Sequence, residues 1–333
     1  MKKNIALLTG GFSGEYEISI KSAGVVEKYT DKSLFRVFTI IVGKDAWIYR
    51  DQSGQEFSVD LTGFTLELPG ETVRFDAAFI AIHGTPGEDG KMQGYLDMVG
   101  VPYNTCGHAT SALTFDKYFC NEFVGRAGIP VAGTVYLNKR DIPDPEAIIK
   151  TTGLPCFVKP NSNGSSVGIT KVHTAENLMP AIQKAFEIDD EVLVQEFIAG
   201  REIACGIYEK NGELIVLPLT EIISHNDFFD YGAKYTAGLA DEITPARISQ
   251  QLTEECRRTS LELYRRMNCR GVVRFDYILT PEDASGKRRF YFLEVNTIPG
   301  LSEASIVPQQ ASKMGISLTQ LFTDMLTETM ERY

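Results

Sequence analysis

At 333 residues the chain is longer than one hydrophobic core usually supports, so two or three domains are expected. Its 43% hydrophobic and 23% charged residues read as an ordinary globular protein and exclude wholesale disorder. A formal net charge of -11 excludes a broad nucleic-acid surface, because no basic excess exists to displace counterions. Any bound phosphate must then be met by a few placed cations and backbone amides.

The six cysteines, at 106, 120, 156, 205, 256 and 269, are scattered, with no C-x-x-C and no histidine at zinc spacing. Reduced, buried thiols in a cytoplasmic protein are the expectation, and with four histidines in all a structural zinc site is not. The opening MKKNIALLTGG has too short an apolar run for a signal peptide and ends in a glycine turn. No apolar stretch reaches 18 residues, so no membrane-spanning helix is expected.

In chain order, Asn4 to Leu8 is a short apolar strand, followed by the glycine turn TGGFSG (9–14) and a helix-capable segment from Glu15 to Tyr29. A strand, a glycine turn and a helix N-terminus make a cradle for an anion or small ligand, although the dinucleotide spacing G-x-G-x-x-G is missed. Arg36 to Val42 and Phe75 to Ile82 are further strand-length runs, the second leading into HGTPGEDG (83–90). Strands alternating with helices predict a parallel α/β sheet with ligands at the carboxyl ends of its strands. Glu15 and His83 fall at such ends; a first-turn helix carboxylate and a plain loop histidine are the competing readings.

A helical region from Thr110 stops at Gly128, with Asp116 placed to cap and Lys117 beside it. Cys156 to Lys159, the small-residue loop PNSNGSSVG (160–168) and Ile169 to Val172 read as strand, loop and strand. Amides and hydroxyls of such a loop can close over a triphosphate while Lys159 meets its charge. Glu191 to Ile198 is the next strand, whose Gln195 and Glu196 sit where backbone groups can be offered to a base. Glu202 to Tyr208 and Glu213 to Pro218 form a hairpin about Asn211-Gly212. Residues 226–238 have a lid's composition, and Lys234 and Tyr235 within them could reach a substrate. Amphipathic helices are expected over Ser249 to Met267 and Leu318 to Tyr333.

Two late strands carry the chemistry. Strand side chains alternate faces, so Arg274 and Asp276 share one face of GVVRFDYIL (271–279), with Phe275, Tyr277 and Leu279 behind. In FYFLEVN (290–296) Glu294 and Asn296 share a face, and strict alternation puts Tyr291, Leu293 and Val295 opposite. Adjacent strands then present one arginine, two carboxylates and an amide on one wall. That set suits Mg²⁺, which takes one or two carboxylates plus substrate phosphate oxygens. Solvated hairpin charges are the competing reading, weakened by Pro299-Gly300, where the backbone can approach a ligand.

The order of these pieces (GGFSGEYEIS, HGTPGEDG, DK, VKPNSNGSSVG, VQEFIAGRE, DYGAKY, GVVRFDYIL and EVNTIPGLSEAS) resembles the ATP-grasp ligases. Within them it resembles the D-alanine–D-alanine ligase family over essentially the whole chain. The resemblance implies an α/β and α+β, three-domain ATP-grasp ligase: an N-terminal parallel-sheet substrate domain (1–105), then central (106–198) and C-terminal (199–333) subdomains gripping ATP between two antiparallel sheets. It implies that Lys117, Lys159, Ser165, Ser166 and Lys234 serve the phosphates. Glu196 and Ile198 would frame the adenine, Glu202 the ribose, and Asp276, Glu294 and Asn296 two Mg²⁺ or Mn²⁺ ions. Glu15, in a set with Ser165 and Tyr235, would take the ammonium of the first D-alanine beside His83. Arg274 and Gly300 would face the oxyanion, and Ser305 and Ile306 the carboxylate of the second D-alanine. Glu303 and Ala304 stand where family members often carry Ser-His. The implied reaction is acyl-phosphate formation from ATP, then attack by a second D-alanine's amine, in peptidoglycan precursor synthesis. The absence of a Ser-His or Cys-His signature agrees with a path that needs no protein nucleophile. A cytoplasmic homodimer is implied as well. A D-alanine–D-lactate ligase and an ATP-binding protein without the chemistry are the alternatives.

Overall fold

Three apolar runs become the parallel heart of the first sheet in the computed structural model, which describes residues 2–162, 164, 167–224 and 240–332. Its elements are β1 (Lys3–Gly10), α1 (Tyr16–Tyr29), β2 (Phe35–Val42), β3 (Trp47–Arg50), β4 (Glu56–Asp60), β5 (Thr65–Leu68), β6 (Glu71–Arg74) and β7 (Ala77–Ile80). The strand order is β6-β5-β4-β3-β2-β1-β7. Only β2, β1 and β7 run parallel, and an antiparallel meander extends from β2. The sheet is therefore mixed, and its parallel part is the part that ends at the site. Short, polar-edged segments from 47 to 74 turn back by hairpins because no helix-length crossover separates them.

Next come α2 (Lys91–Val99), α3 (His108–Phe115) and α4 (Lys117–Arg126). The helical region from 110 breaks at Asp116, whose carboxylate accepts the Phe119 N–H at 2.9 Å and starts α4 afresh. The second sheet contains β8 (Thr134–Asn138), β9 (Cys156–Pro160), β10 (Thr170–Val172) and β11 (Glu191–Glu196), antiparallel in the order β10-β9-β11-β8. Helices α5 (Pro145–Thr152) and α6 (Leu178–Ala185) cover one face, burying Val158, Val192 and Val194. Alternation sends Phe157 and Lys159 to the other face.

The third sheet holds β12 (Arg201–Lys210), β13 (Glu213–Val216), β14 (Thr220–Ser224), β15 (Ala240–Ile243), β16 (Val273–Leu279) and β17 (Phe290–Asn296). The order is β15-β14-β12-β16-β17, with β13 on β12 through the Asn211-Gly212 turn. Both turn residues have positive φ, 52° and 72°, as a two-residue hairpin demands. Helix α7 (Gln250–Arg266), capped by Ser249, buries Cys256 and Leu263 against Ile203, Phe275 and Tyr277. Helices α8 (Ile306–Lys313) and α9 (Leu318–Arg332) follow. The apolar stripe of α9 packs Phe322 edge-on to Phe79, ring centroids 5.9 Å apart, and so bolts the last helix to the first sheet.

One expectation fails at β17. Asp276 pairs with Glu294, yet Tyr277 pairs with Phe292, so Leu293 is an extra residue. This bulge resets the alternation. Val295 keeps its place in the core, but Phe290 and Phe292 replace Tyr291 and Leu293 there. Tyr291 and Leu293 instead line the cleft between the second and third sheets.

Candidate active site

The register of β16 with β17 sets Arg274 opposite Asn296 and Asp276 opposite Glu294, on the face turned from the α7 core. Asp276 is only 1% exposed. It accepts hydrogen bonds from Arg274 Nε at 2.9 and 3.1 Å, from Arg274 Nη2 at 2.7 Å, and from Asn296 Nδ2 at 3.0 Å. Burial works against the Arg274 charge, but Asp276 beside it, helped by Glu294 and Glu202, holds the guanidinium protonated more firmly than usual. Two carboxylates and an amide on neighbouring strands are the hard-oxygen donors that Mg²⁺ takes alongside phosphate.

Two clefts meet at this wall. One, of about 620 Å³, lies between the second and third sheets; Phe157, Ile198, Ile222 and Leu293 supply apolar surface, and Glu196 and Glu202 polar edges. The other, of about 430 Å³, runs from the β1 and β7 ends to the start of α8, past Glu15, His83, Arg274, Gly300, Ser305 and Ile306. Lys117, Lys159 and Glu294 line both, so the two lysines stand at the junction. Lys159 Nζ donates to Gln195 Oε1 at 2.8 Å, and Lys117 Nζ to the Asn161 carbonyl at 3.2 Å. Glu196 accepts the Gly133 N–H at 3.0 Å, which spends one of its oxygens on the backbone.

The end of the smaller cleft nearest β1 and β7 is built from buried and half-buried side chains. Glu15 immediately precedes α1. A Cβ on Gly84 would fall 3.0 Å from its Oε2, and a Cβ on Gly164 only 2.5 Å away. Two glycines thus bracket this carboxylate, Gly84 on one side and Gly164 on the other. His83 is buried; its Nε2 lies 2.9 Å from Ser22 Oγ, and its N–H donates to Ser19 Oγ at 2.9 Å. Burial, with Arg274 acting the same way and the Ile298 backbone opposing, lowers its pKa to about 4, so the ring is neutral at pH 7. Glu88 also lines the cleft and accepts the Gly84 N–H at 2.7 Å. Burial and the nearby Glu15 raise its pKa to about 8.

The opposite end is built from a loop and a helix N-terminus. Ser305 precedes α8, its N–H donates to the Ser302 carbonyl at 2.9 Å, and its Oγ lies 2.8 Å from Ser302 Oγ. Backbone amides at the start of α8 suit a carboxylate. Gly300 lies so close that a Cβ there would meet Ser305 Oγ at 2.7 Å. Glu303, one of the two departures from the family pattern, turns outward: its Oε1 accepts from Tyr29 Oη at 2.7 Å and Lys28 Nζ at 3.0 Å. Ala304 lines the cleft.

The described residues thus bring together Glu15, His83, Lys117, Lys159, Arg274, Asp276, Glu294, Asn296, Gly300, Ser305 and Ile306, with Glu196, Ile198 and Glu202 in the adjoining cleft. Ser165, Ser166, Lys234 and Tyr235, and the 226–238 segment, lie outside the described residues. Sequence reasoning passed over Glu88 and Glu242, both of which line the smaller cleft. Glu88 sits inside the HGTPGEDG motif, which could have flagged it; Glu242 carries no linear signal.

Two sheets closing on a nucleotide-sized cleft, with paired lysines and a carboxylate wall where a second cleft enters, define a ligase of the ATP-grasp type. Residues 4–106 match the family described as "D-ala D-ala ligase N-terminus", and residues 123–327 the family "D-ala D-ala ligase C-terminus". The chain belongs to the D-alanine–D-alanine ligase family. A D-alanine–D-alanine ligase of Flavobacterium johnsoniae is 45% identical over 324 residues, covering 97% of this chain and 98% of that protein. One from Parabacteroides distasonis is 43% identical over 331 residues, covering 99% and 98%. Among solved structures, D-alanyl-alanine synthetase A of Vibrio cholerae superposes with a TM-score of 0.87 at 29% identity, covering 99% of each chain. The VanG D-Ala:D-Ser ligase of Enterococcus faecalis gives 0.85 at 32%, covering 99% of this chain and 100% of that one. A Bacillus anthracis D-alanine–D-alanine ligase complexed with ATP gives 0.77 at 27%, covering 99% and 97%.

Proposed function

We propose that this chain joins two D-alanines into D-alanyl-D-alanine at the expense of ATP, releasing ADP and phosphate, for peptidoglycan precursor synthesis. The observation that carries the reading is the wall Arg274–Asp276–Glu294–Asn296, whose Arg274, Glu294 and Asn296 line the smaller cleft and whose Glu294 also lines the larger. The Glu15 end of the smaller cleft takes the first D-alanine and is the donor end; the Ser305 end takes the second D-alanine and is the acceptor end. A triphosphate lying over Lys117 and Lys159 points its last phosphate at the carboxylate of the first D-alanine. That carboxylate attacks the phosphorus, giving an acyl phosphate and ADP. The second amine then attacks the acyl carbon, and phosphate leaves. Such chemistry rests on positioning and charge. Arg274, kept charged by Asp276, and the Gly300 amide face the oxyanion. Asp276, Glu294 and Asn296 are the residues that would hold Mg²⁺ or Mn²⁺, which supplies charge neutralisation on the phosphates when bound.

Neutral His83 contributes no positive charge beside the donor ammonium, leaving Glu15 to bind it. Division into substrate domain (1–105), central (106–198) and C-terminal (199–333) subdomains, a lid at 226–238 with Lys234 and Tyr235, and a homodimer belong to the same proposal. So do a phosphate role for Ser165 and Ser166 and a place for Ser165 in the set with Glu15 and Tyr235. Among the described residues no helix is long and apolar enough to cross a membrane, and all six cysteines are free and buried, which supports a reducing, cytoplasmic setting.

Phosphate release with ATP and Mg²⁺ tests the reading: it should require D-alanine and yield the dipeptide. Adding D-lactate or D-serine as second substrate addresses the neighbouring ligase activities. No D-alanine-dependent phosphate release overturns the proposal.

A further inference from the structure

D-Alanine enters as a zwitterion, and an ammonium has no lone pair with which to attack an acyl phosphate. Some group at the acceptor end must draw that cation in and relieve it of a proton. The other cleft carboxylates have evident duties: Glu15 is bracketed by glycines at the donor end, Glu88 accepts from Gly84, and Asp276 is held by Arg274 and Asn296 while pairing with Glu294. Glu242 is left over.

Its position is specific. Glu242 on β15 pairs with Ile222, which pairs in turn with Glu202, and residues directly opposite in a sheet share a face. Glu202 pairs with Ile278, two residues from Asp276 on β16. Glu242 therefore stands on the ligand-facing side of the third sheet, at the far edge from Glu294, and it lines the same cleft as Ser302, Ser305 and Arg274. Gln309 of α8 ties it to the acceptor loop: Nε2 donates to Glu242 Oε2 at 2.8 Å and to the Ala304 carbonyl at 2.6 Å. Oε1 accepts no hydrogen bond from the described residues.

We propose that Glu242 binds the ammonium of the second D-alanine through Oε1 and takes one proton from it before attack, with Gln309 as its positioning residue. This rests on the ligase reading above. One N–H proton passes to Glu242, and the freed lone pair forms the C–N bond at the acyl carbon. The C–O bond to phosphate breaks with its electron pair going to the phosphate, which leaves with the second N–H proton. The third hydrogen stays on the amide, and Glu242 returns its proton to solvent. Burial raises the Glu242 carboxyl, against the Gln309 hydrogen bond and Arg274, and so improves it as a proton acceptor.

The test compares two acceptors on the full chain with ATP, Mg²⁺ and D-alanine: a second D-alanine, and hydroxylamine, which is largely neutral near pH 7 and needs no such proton acceptor. Glu242→Gln should lower kcat/KM for the second D-alanine on the order of 10²-fold, with hydroxamate formation and the KM for the first D-alanine as in the wild type. Gln309→Leu should raise KM for the second D-alanine alone. An equal loss with both acceptors in Glu242→Gln, or no loss with D-alanine, overturns the assignment. A wild-type chain that releases no phosphate with D-alanine overturns the ligase reading instead.

Discussion

The two ends of the smaller cleft are made differently. At the proposed donor end, by the parallel strands, His83 is fixed by buried hydrogen bonds, Glu88 accepts from the Gly84 backbone and Glu15 is hemmed in by two glycines. At the proposed acceptor end stand a helix N-terminus, two serine hydroxyls and a loop tethered at its outer side by exposed Glu303. A rigid pocket suits the substrate that must hold still through phosphoryl transfer. A loop suits the one whose amine must move up to the acyl carbon after the acyl phosphate has formed. The contrast is a statement about energetics: buried contacts are costly to break, while exposed ion pairs contribute little.

That comparison can be broken at four places. Arg274 serves both ends, so Arg274→Ala should cost the largest factor, on the order of 10²- to 10³-fold in kcat, with ATP binding retained in a nucleotide titration. Near-normal dipeptide formation would remove the oxyanion role. Gly164→Ala puts a methyl 2.5 Å from Glu15 Oε2. Displacing that carboxylate by about an ångström should cost on the order of 10²-fold, expressed against the first D-alanine. Equal effects on both substrates would mean that the donor end is not separately rigid.

The third place is read in pH and stability. Glu88, with its pKa raised from 4.5 to about 8, binds its proton more tightly folded than unfolded, so it withdraws stability as pH rises across that window. His83, lowered from 6.5 to about 4, does the reverse, and its stabilisation is lost as pH falls from about 6.5 to about 4. The two oppose each other below pH 6.5, leaving Glu88 alone between about 6.5 and 8. There Tm of the wild type should fall with pH, and Glu88→Gln should flatten the slope; an unchanged slope would place the proton elsewhere. The smallest effect is expected of Glu303→Gln, a few-fold rise at most in KM for the second D-alanine, because its partners Lys28 and Tyr29 are at the surface. A large rise would show that the tether, and not the helix terminus, governs the acceptor end.

Much of this site could be read from residue order. The period of two placed Arg274 with Asp276 and Phe275 with Tyr277, and the third sheet keeps that division. Asp116 as a cap, the Asn211-Gly212 turn and the stripe on α9 were equally local. What failed was local too: the bulge at Leu293 put Tyr291 in the cleft and Phe292 in the core, because alternation counts residues and a bulge adds one.

The sequence by itself determined the kinds of chemistry available: which residues carry charge, which strands and turns hold them, and, through motif order, the family. Only the tertiary structure decided that Gly164 lies on Glu15, that His83 and Glu88 have pKa values pushed in opposite directions, and that Glu242 faces the acceptor loop. These depend on burial and on contacts between residues far apart in the chain, which no pattern of neighbours encodes.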